Sequence, residues 1–260
     1  MSVPAVAPVT LVTGSSRGIG AAIAGRLAAA GHRLVLTARD ANGLAATAAT
    51  ARARGAADVL TLAVDLRSET APTELVAAAL AKFGRLDAIV SNAGTAPSDK
   101  VENTTAAVVR ETFDLHVGAP LAFARAAVPT MKQSGGGCLL HLASTAGLRG
   151  YPFTSAYTAA KHGMVGLSRA LHAELQAAAI RVYALCPGFV DSDITRGAAA
   201  AIAARGKTTA EQAFARMAAQ NCIGRMHTPD EVAAAGAMLL QQRPAGCVYD
   251  LDRAEPAFID

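Results

Sequence analysis

Short runs of contiguous apolar and β-branched residues recur along the chain, separated by longer stretches dominated by alanine. The runs lie at 9–13 (VTLVT), 34–38 (LVLTA), 59–64 (VLTLAV), 86–91 (LDAIVS), 138–143 (CLLHLA), 180–185 (IRVYAL) and 247–251 (CVYDL). Most are unbroken rather than alternating, as strands covered on both faces should be. Helical stretches are expected between them at 19–30, 41–54, 69–83, 104–132, 155–178 and 229–241. The last opens on Thr228-Pro229-Asp230-Glu231, a threonine N-cap followed by proline at the first helical position. Such alternation predicts an α/β fold, a doubly wound sheet of about seven parallel strands with helices on both faces, in one domain over 1–260. Residues 191–226 break the pattern. They hold no strand run, follow the sixth strand and are mostly Ala with Arg and Thr, which predicts one or two helices forming a mobile lid over the ligand edge of the sheet.

Composition supports a packed core and narrows the partners. Hydrophobic residues make up 52% of the 260 residues and charged residues 17%, which excludes a disordered chain. Aromatics are 4% and Trp is absent, a poor basis for stacking single-stranded nucleic acid. The net charge of +4 comes from scattered basic residues without a block, so no nucleic-acid partner is implied. Cys138, Cys186, Cys222 and Cys247 show no CxxC spacing and support neither a metal site nor a disulfide framework; buried thiols in a reducing compartment are expected for 138, 186 and 247. No unbroken apolar run is long enough for a membrane span. The first eight residues lack a basic leader region, and a cytoplasmic protein is expected.

Three clusters carry chemistry. Thr13-Gly14-Ser15-Ser16-Arg17-Gly18-Ile19-Gly20 follows the first strand and opens a helix, where glycines let the backbone approach a pyrophosphate resting on the helix N-terminus. Tyr157 and Lys161 stand four apart on a predicted helix and so share a face. An ammonium beside a phenol favours the phenolate, which makes the pair a candidate acid–base catalyst. Ser144, at the end of the fifth strand, can hold the oxygen on which such a phenol acts.

The GxxxGxG spacing with its leading Thr13 resembles the short-chain dehydrogenase/reductase family, and other motifs extend the likeness over residues 13 to 192. Tyr157-Thr158-Ala159-Ala160-Lys161 looks like the family's YxxxK, with Ser144 thirteen residues before it. Ser91-Asn92-Ala93-Gly94 resembles NNAG. Asp65-Leu66 resembles the adenine-contacting pair after the third strand, and Pro187-Gly188-Phe189-Val190-Asp191-Ser192 resembles PGxVxT. The resemblance implies a Rossmann fold and a nicotinamide cofactor. It also implies a small-molecule ketone or alcohol substrate, no membrane partner, and a homo-oligomer, tetramer or dimer. It implies catalytic roles for Ser144, Tyr157 and Lys161. Cofactor contacts are implied for Gly14 to Gly20, Asp65, Leu66, Asn92, Ala93, Gly94, Tyr157, Lys161, Pro187, Gly188, Val190 and Ser192.

Cofactor choice rests on the end of the second strand. Thr37-Ala38-Arg39-Asp40 has Ala where NAD-preferring members of the family are expected to carry Asp. Arg39, with Arg17 from the glycine loop, can fork onto a 2′-phosphate, so NADP(H) is expected. Asp40 argues against this unless it caps the following helix. Two departures stand out. His116 occupies the family's catalytic Asn place, where the role is largely to bend the helix and free a carbonyl for a proton relay; a histidine there can also titrate. The C-terminus lacks the family's V-D-G-G glycines, which weakens the tetramer inference. The remaining histidines considered, His141, His162, His172 and His227, have no metal-ligand spacing and read as structural.

The expected activity is NADPH-dependent reduction of a ketone to a secondary alcohol, or the reverse. The alternatives are an NAD-dependent alcohol dehydrogenase, a non-catalytic NADPH-binding regulator and a scaffold subunit. Leu148, Tyr151, Phe153 and Phe189 suggest an apolar pocket for a medium-sized ketone. A 3-oxoacyl thioester is second, with Arg149 or Arg196 contacting a carrier phosphate.

Overall fold

The strand runs assemble into a single eight-stranded sheet of order β3-β2-β1-β4-β5-β6-β7-β8 in the computed structural model, which describes residues 7–204, 206 and 208–260. The expectation that no leader precedes the first strand falls largely on residues 1–6, outside the described residues.

The strands are β1 (Val9–Thr13), β2 (Arg33–Ala38), β3 (Asp58–Ala63), β4 (Ala88–Ser91), β5 (Gly137–Leu142), β6 (Ile180–Cys186), β7 (Val248–Asp250) and β8 (Ala257–Phe258). The first seven pair in parallel; β8 runs antiparallel to β7, with Tyr249 opposite Phe258. The sequence reading missed β8 because two residues carry no periodicity. Alternate strand residues feed two cores. Val12, Leu34, Leu36, Val90, Leu140 and Leu185 meet α1 (Gly18–Ala29), α2 (Ala41–Ala53) and α9 (Pro229–Gln242). Val9, Leu11, Val35, Ile89, Leu139 and Val182 meet α3 (Ala71–Phe83), α5 (Ala119–Gln133) and α6 (Ser155–Leu175). Both faces of the central strands are therefore apolar, which is why their runs are unbroken.

Local chemistry sets several helix starts. Thr228 caps α9 in a reciprocal box with Glu231. Asp40 Oδ1 accepts from the backbone N–H groups of Asn42 and Gly43, each at 3.1 Å, and caps α2. The expected continuous helix over 104–132 is a correction. It is divided into α4 (Ala106–Phe113), a π-helical turn over Asp114–Gly118 and α5. Within 191–226 lie α7 (Asp193–Ala204) and α8 (Ala210–Ala218), the two helices expected there. No described helix is long and apolar enough to cross a membrane.

Candidate functional site

The strand order reverses between β1 and β4, and the chain opens a crevice beyond their C-terminal ends. Thr13 ends β1 and binds the far side of that crevice together. Its hydroxyl accepts from the N–H groups of Asn92 and Ala93, both at 2.9 Å, while Asn92 Nδ2 donates to the carbonyls of Thr13 (2.8 Å) and Gly14 (3.1 Å). Gly14 is left-handed at φ +63, and a Cβ on it would lie 2.8 Å from the Ala93 Cα. A Cβ on Gly20 would collide with the Gly14 carbonyl. The loop 14–20 thus needs its glycines to turn and to press against Asn92-Ala93. It leads into the N-terminus of α1, which begins without a side-chain cap and leaves its N–H groups available to an anion. Ser15 is buried, its hydroxyl donating to the Thr37 carbonyl at 3.3 Å; Ser16, Gly18 and Ile19 complete the turn.

Arg17 and Arg39 are not brought onto one point. Arg17 Nε pairs with Asp193 Oδ2 of α7 at 3.1 Å, both side chains largely exposed. Arg39 is exposed at the end of β2, and its charge helps hold the Asp65 carboxyl down at about 2, after the larger effect of the Arg67 hydrogen bonds. Asp40 is spent on its helix cap, so the acidic group that argued against a phosphate does not stand free. Leu66 packs toward the core beside α3. Pro187 is buried after β6, and a Cβ on Gly188 would run into Asn221 and Asp252. Val190 bridges to His227, and the Ser192 hydroxyl accepts from Thr195 N at 3.4 Å at the start of α7.

The three catalytic candidates do meet. Ser144 ends β5, and its Oγ accepts from Ala146 N at 3.1 Å. Tyr157, on the first turn of α6, is raised to about 12 by its closed surroundings, an effect partly offset by a hydrogen bond with Ser144. Lys161 Nζ lies over the Tyr157 ring, 5.7 Å from its centre, and donates to the Leu142 carbonyl. Burial lowers its pKa to about 7. The expected depression of the phenol is corrected: its burial outweighs any lowering by this ammonium, whose hydrogen bond goes to the Leu142 carbonyl at the end of β5.

His116 joins them from the π-helical turn. Its ring meets that of Tyr157 edge-on at 5.7 Å, and Nε2 donates to the Thr95 carbonyl at 2.8 Å in the tautomer protonated there. Gly94 admits the ring, since a Cβ there would strike its Cε1 carbon. Nδ1 is buried and has no partner. Burial, reinforced by Lys161, lowers the pKa to about 3, so the expectation that His116 titrates is corrected to a permanently neutral imidazole.

The expected apolar pocket is partly dispersed. Tyr151 and Phe189 pack edge-on at 5.5 Å, and Tyr151 shares a cavity of about 480 Å³ with Phe153, Val101 and Thr158. Leu148 instead faces the inner cluster around Ala143 and Met164. Arg149 and Arg196, expected at a carrier phosphate, are engaged. Arg196 forks onto Asp191 at 2.7 Å through both nitrogens, and Arg149 donates to the Tyr151 hydroxyl at 2.9 Å. His141 Nδ1 pairs with Ser168 Oγ at 2.8 Å inside the fold, and the thiols of Cys138, Cys186 and Cys247 are buried. Asn221 and Asp252 at this edge escaped the sequence reading, because neither belongs to a motif.

The model of the short chain dehydrogenase family matches residues 8–203. A Streptomyces virginiae protein assigned as ketoacyl reductase of the monensin polyketide synthase is 35% identical over 227 residues, covering 86% of this chain and 87% of its own. Among solved structures, a variant of the actinorhodin polyketide ketoreductase with NADPH superimposes at a TM-score of 0.88 and 30% identity, over 94% of this chain and 95% of that one. Carveol dehydrogenase from Mycobacterium avium in complex with NAD gives 0.86 at 26% identity, over 95% and 97%.

Proposed function

Because the chain belongs to the short-chain dehydrogenase family, we propose that it reduces a ketone to a secondary alcohol with NADPH, using Ser144, Tyr157 and Lys161. The observation that carries this reading is the hydrogen bond between the Ser144 and Tyr157 hydroxyls, in a chain whose glycine loop leads into an uncapped helix N-terminus. The residues fit a dinucleotide: the uncapped N-terminus of α1 after loop 14–20 would receive the diphosphate, and Asp65 and Asn92 to Gly94 would contact the rest. When bound, the reduced cofactor supplies the hydride.

The remaining chemistry belongs to the chain. Ala146 N holds the Ser144 oxygen, leaving its proton to bond the substrate carbonyl. The Tyr157 phenol, protonated at neutral pH, donates to that same oxygen as negative charge develops. Lys161 would hold the nicotinamide ribose, and its ammonium lies over the Tyr157 ring. His116, neutral and fixed by Thr95, offers a lone pair next to the pair.

NADPH is favoured over NADH by Ala38 and Arg39 at the end of β2 and by the capping duty of Asp40. The relative with bound NAD keeps an NAD-dependent dehydrogenase as the second reading. For the substrate, the Tyr151–Phe189 wall favours a mostly apolar ketone, and similarity to ketoacyl reductases favours a 3-oxoacyl compound. Ethyl acetoacetate, acetophenone and cyclohexanone with each cofactor, followed by loss of the reduced nicotinamide absorbance, test both points. Tyr157→Phe should lose about a thousandfold in kcat while NADPH Kd stays unchanged. An active Phe variant, or a wild type that binds NADPH and reduces none of these ketones, overturns the reading.

A further inference from the structure

Just past β7 lies a carboxylate that none of the catalytic groups touches. The Asp252 side chain is fully buried. Its Oδ1 accepts from Cys222 N at 3.0 Å and from His227 Nε2 at 3.2 Å, and its Oδ2 faces Arg149 Nη2 at 3.4 Å. A buried carboxylate is costly unless it is paired and hydrogen-bonded, and here all its partners come from other elements. Arg149 belongs to the loop between β5 and α6. Cys222 and His227 flank the link from α8 to α9.

The contacts continue toward Ser144. Arginine only donates, so the Tyr151 hydroxyl accepts from Arg149 Nε at 2.9 Å; it also shares a hydrogen bond with Thr145 Oγ1, 2.8 Å away. Thr145 is buried next to Ser144 and is tied by its N–H to the Pro187 carbonyl at 2.9 Å. The guanidinium also lies over the Tyr151 ring, 5.4 Å from its centre. One face of the cleft beside Ser144 is thus held from behind by a line running Asp252, Arg149, Tyr151, Thr145. The same carboxylate anchors the end of the 191–226 segment through Cys222.

We propose that Asp252 is a positioning residue for substrate: it fixes Arg149, and through it the Tyr151 wall, in the geometry that receives the ketone next to Ser144. This rests on the ketone-reductase reading above. The contacts expected at loop 14–20, Asp65 and Asn92 to Gly94 lie on other elements; Gly188 sits against Asp252, and Asp252→Asn keeps the side-chain volume there.

Asp252→Asn keeps the shape and an acceptor oxygen but removes the charge that holds Arg149. It should raise KM for the best ketone of the panel about tenfold, the size of one lost charge-assisted hydrogen bond, with kcat and NADPH Kd nearly unchanged. Tyr151→Phe should act in the same direction, and the double variant should be no worse than the more severe single one. An unchanged KM in Asp252→Asn, KM effects that add in full, or a fall in kcat and Tm at constant KM would each overturn the proposal, the last by marking a general scaffold role. Should Asp252→Asn fail to fold, Arg149→Met, at a half-exposed side chain, reads the same line: a raised KM that Tyr151→Phe does not worsen supports the proposal, and an unchanged KM overturns it. A wild type that binds NADPH and reduces none of the ketones sinks the reductase reading instead, so the two failures are distinguishable.

Discussion

Tyr157 holds its proton tightly, and that has a direction in it. With the phenol raised to about 12, it is an acid ready to donate throughout the neutral range and a base only in alkali. Ketone reduction should therefore be flat on the Tyr157 limb between pH 6 and 9, about the range over which the phenol stays protonated. Alcohol oxidation with NADP+, which needs the phenolate, should climb about tenfold per pH unit over the same range; initial rates in both directions check this. His116 should add no limb of its own, since its imidazole stays neutral down to about 3. The sequence made the Ser144, Tyr157 and Lys161 set legible because spacing on a helix and a strand end is a local property. It could not reveal that Lys161 turns to the Leu142 carbonyl, because that contact spans nineteen residues and depends on tertiary packing.

Elements read well where their signals were strong and poorly where the signal was spread thin. The Thr228–Glu231 box was visible as four letters and forms as expected. Thr228→Ala should cost about 1 kcal/mol of stability by urea denaturation, with no change in NADPH affinity. The π-helical turn over Asp114–Gly118 left no trace in the periodicity, which continues across it; only the resemblance, with its helix bend at residue 116, pointed there. Its consequence is local and large: it brings His116 out against Tyr157. Gly20→Ala should abolish NADPH binding by fluorescence titration, because the methyl would press on the Gly14 carbonyl and distort the turn. The two-residue β8 was missed for lack of length, and Asp252 because a lone acid near a chain end announces nothing.

For the molecule as a whole, buried histidines make acid the weak side. His116 and His141 are held neutral by burial, at about 3 and about 4, against 6.5 for a free imidazole. Below 6.5 the unfolded chain takes up protons that the folded protein refuses, so stability present at neutral pH is lost as pH falls. Between pH 7 and 5 each should cost about 2 kcal/mol, while the carboxylates titrate mostly lower. His32, also lowered by burial, adds to the same loss; urea midpoints at the two pH values measure it, and His116→Asn should remove only part of the dependence.

The sheet ends differently at its two margins. On one side β8, only two residues long and antiparallel, closes off β7; on the other β3 is the outermost described strand, six residues long, with a mixed burial pattern. Fibrillar growth by strand recruitment needs an open ladder of amides; among the described strands the β3 side comes nearest to one, although Arg52 and Asp58 already occupy the Val59 carbonyl and N–H. If partly unfolded protein aggregates, cross-linking should therefore find neighbouring copies joined through 58–63, and a proline placed there should slow the process.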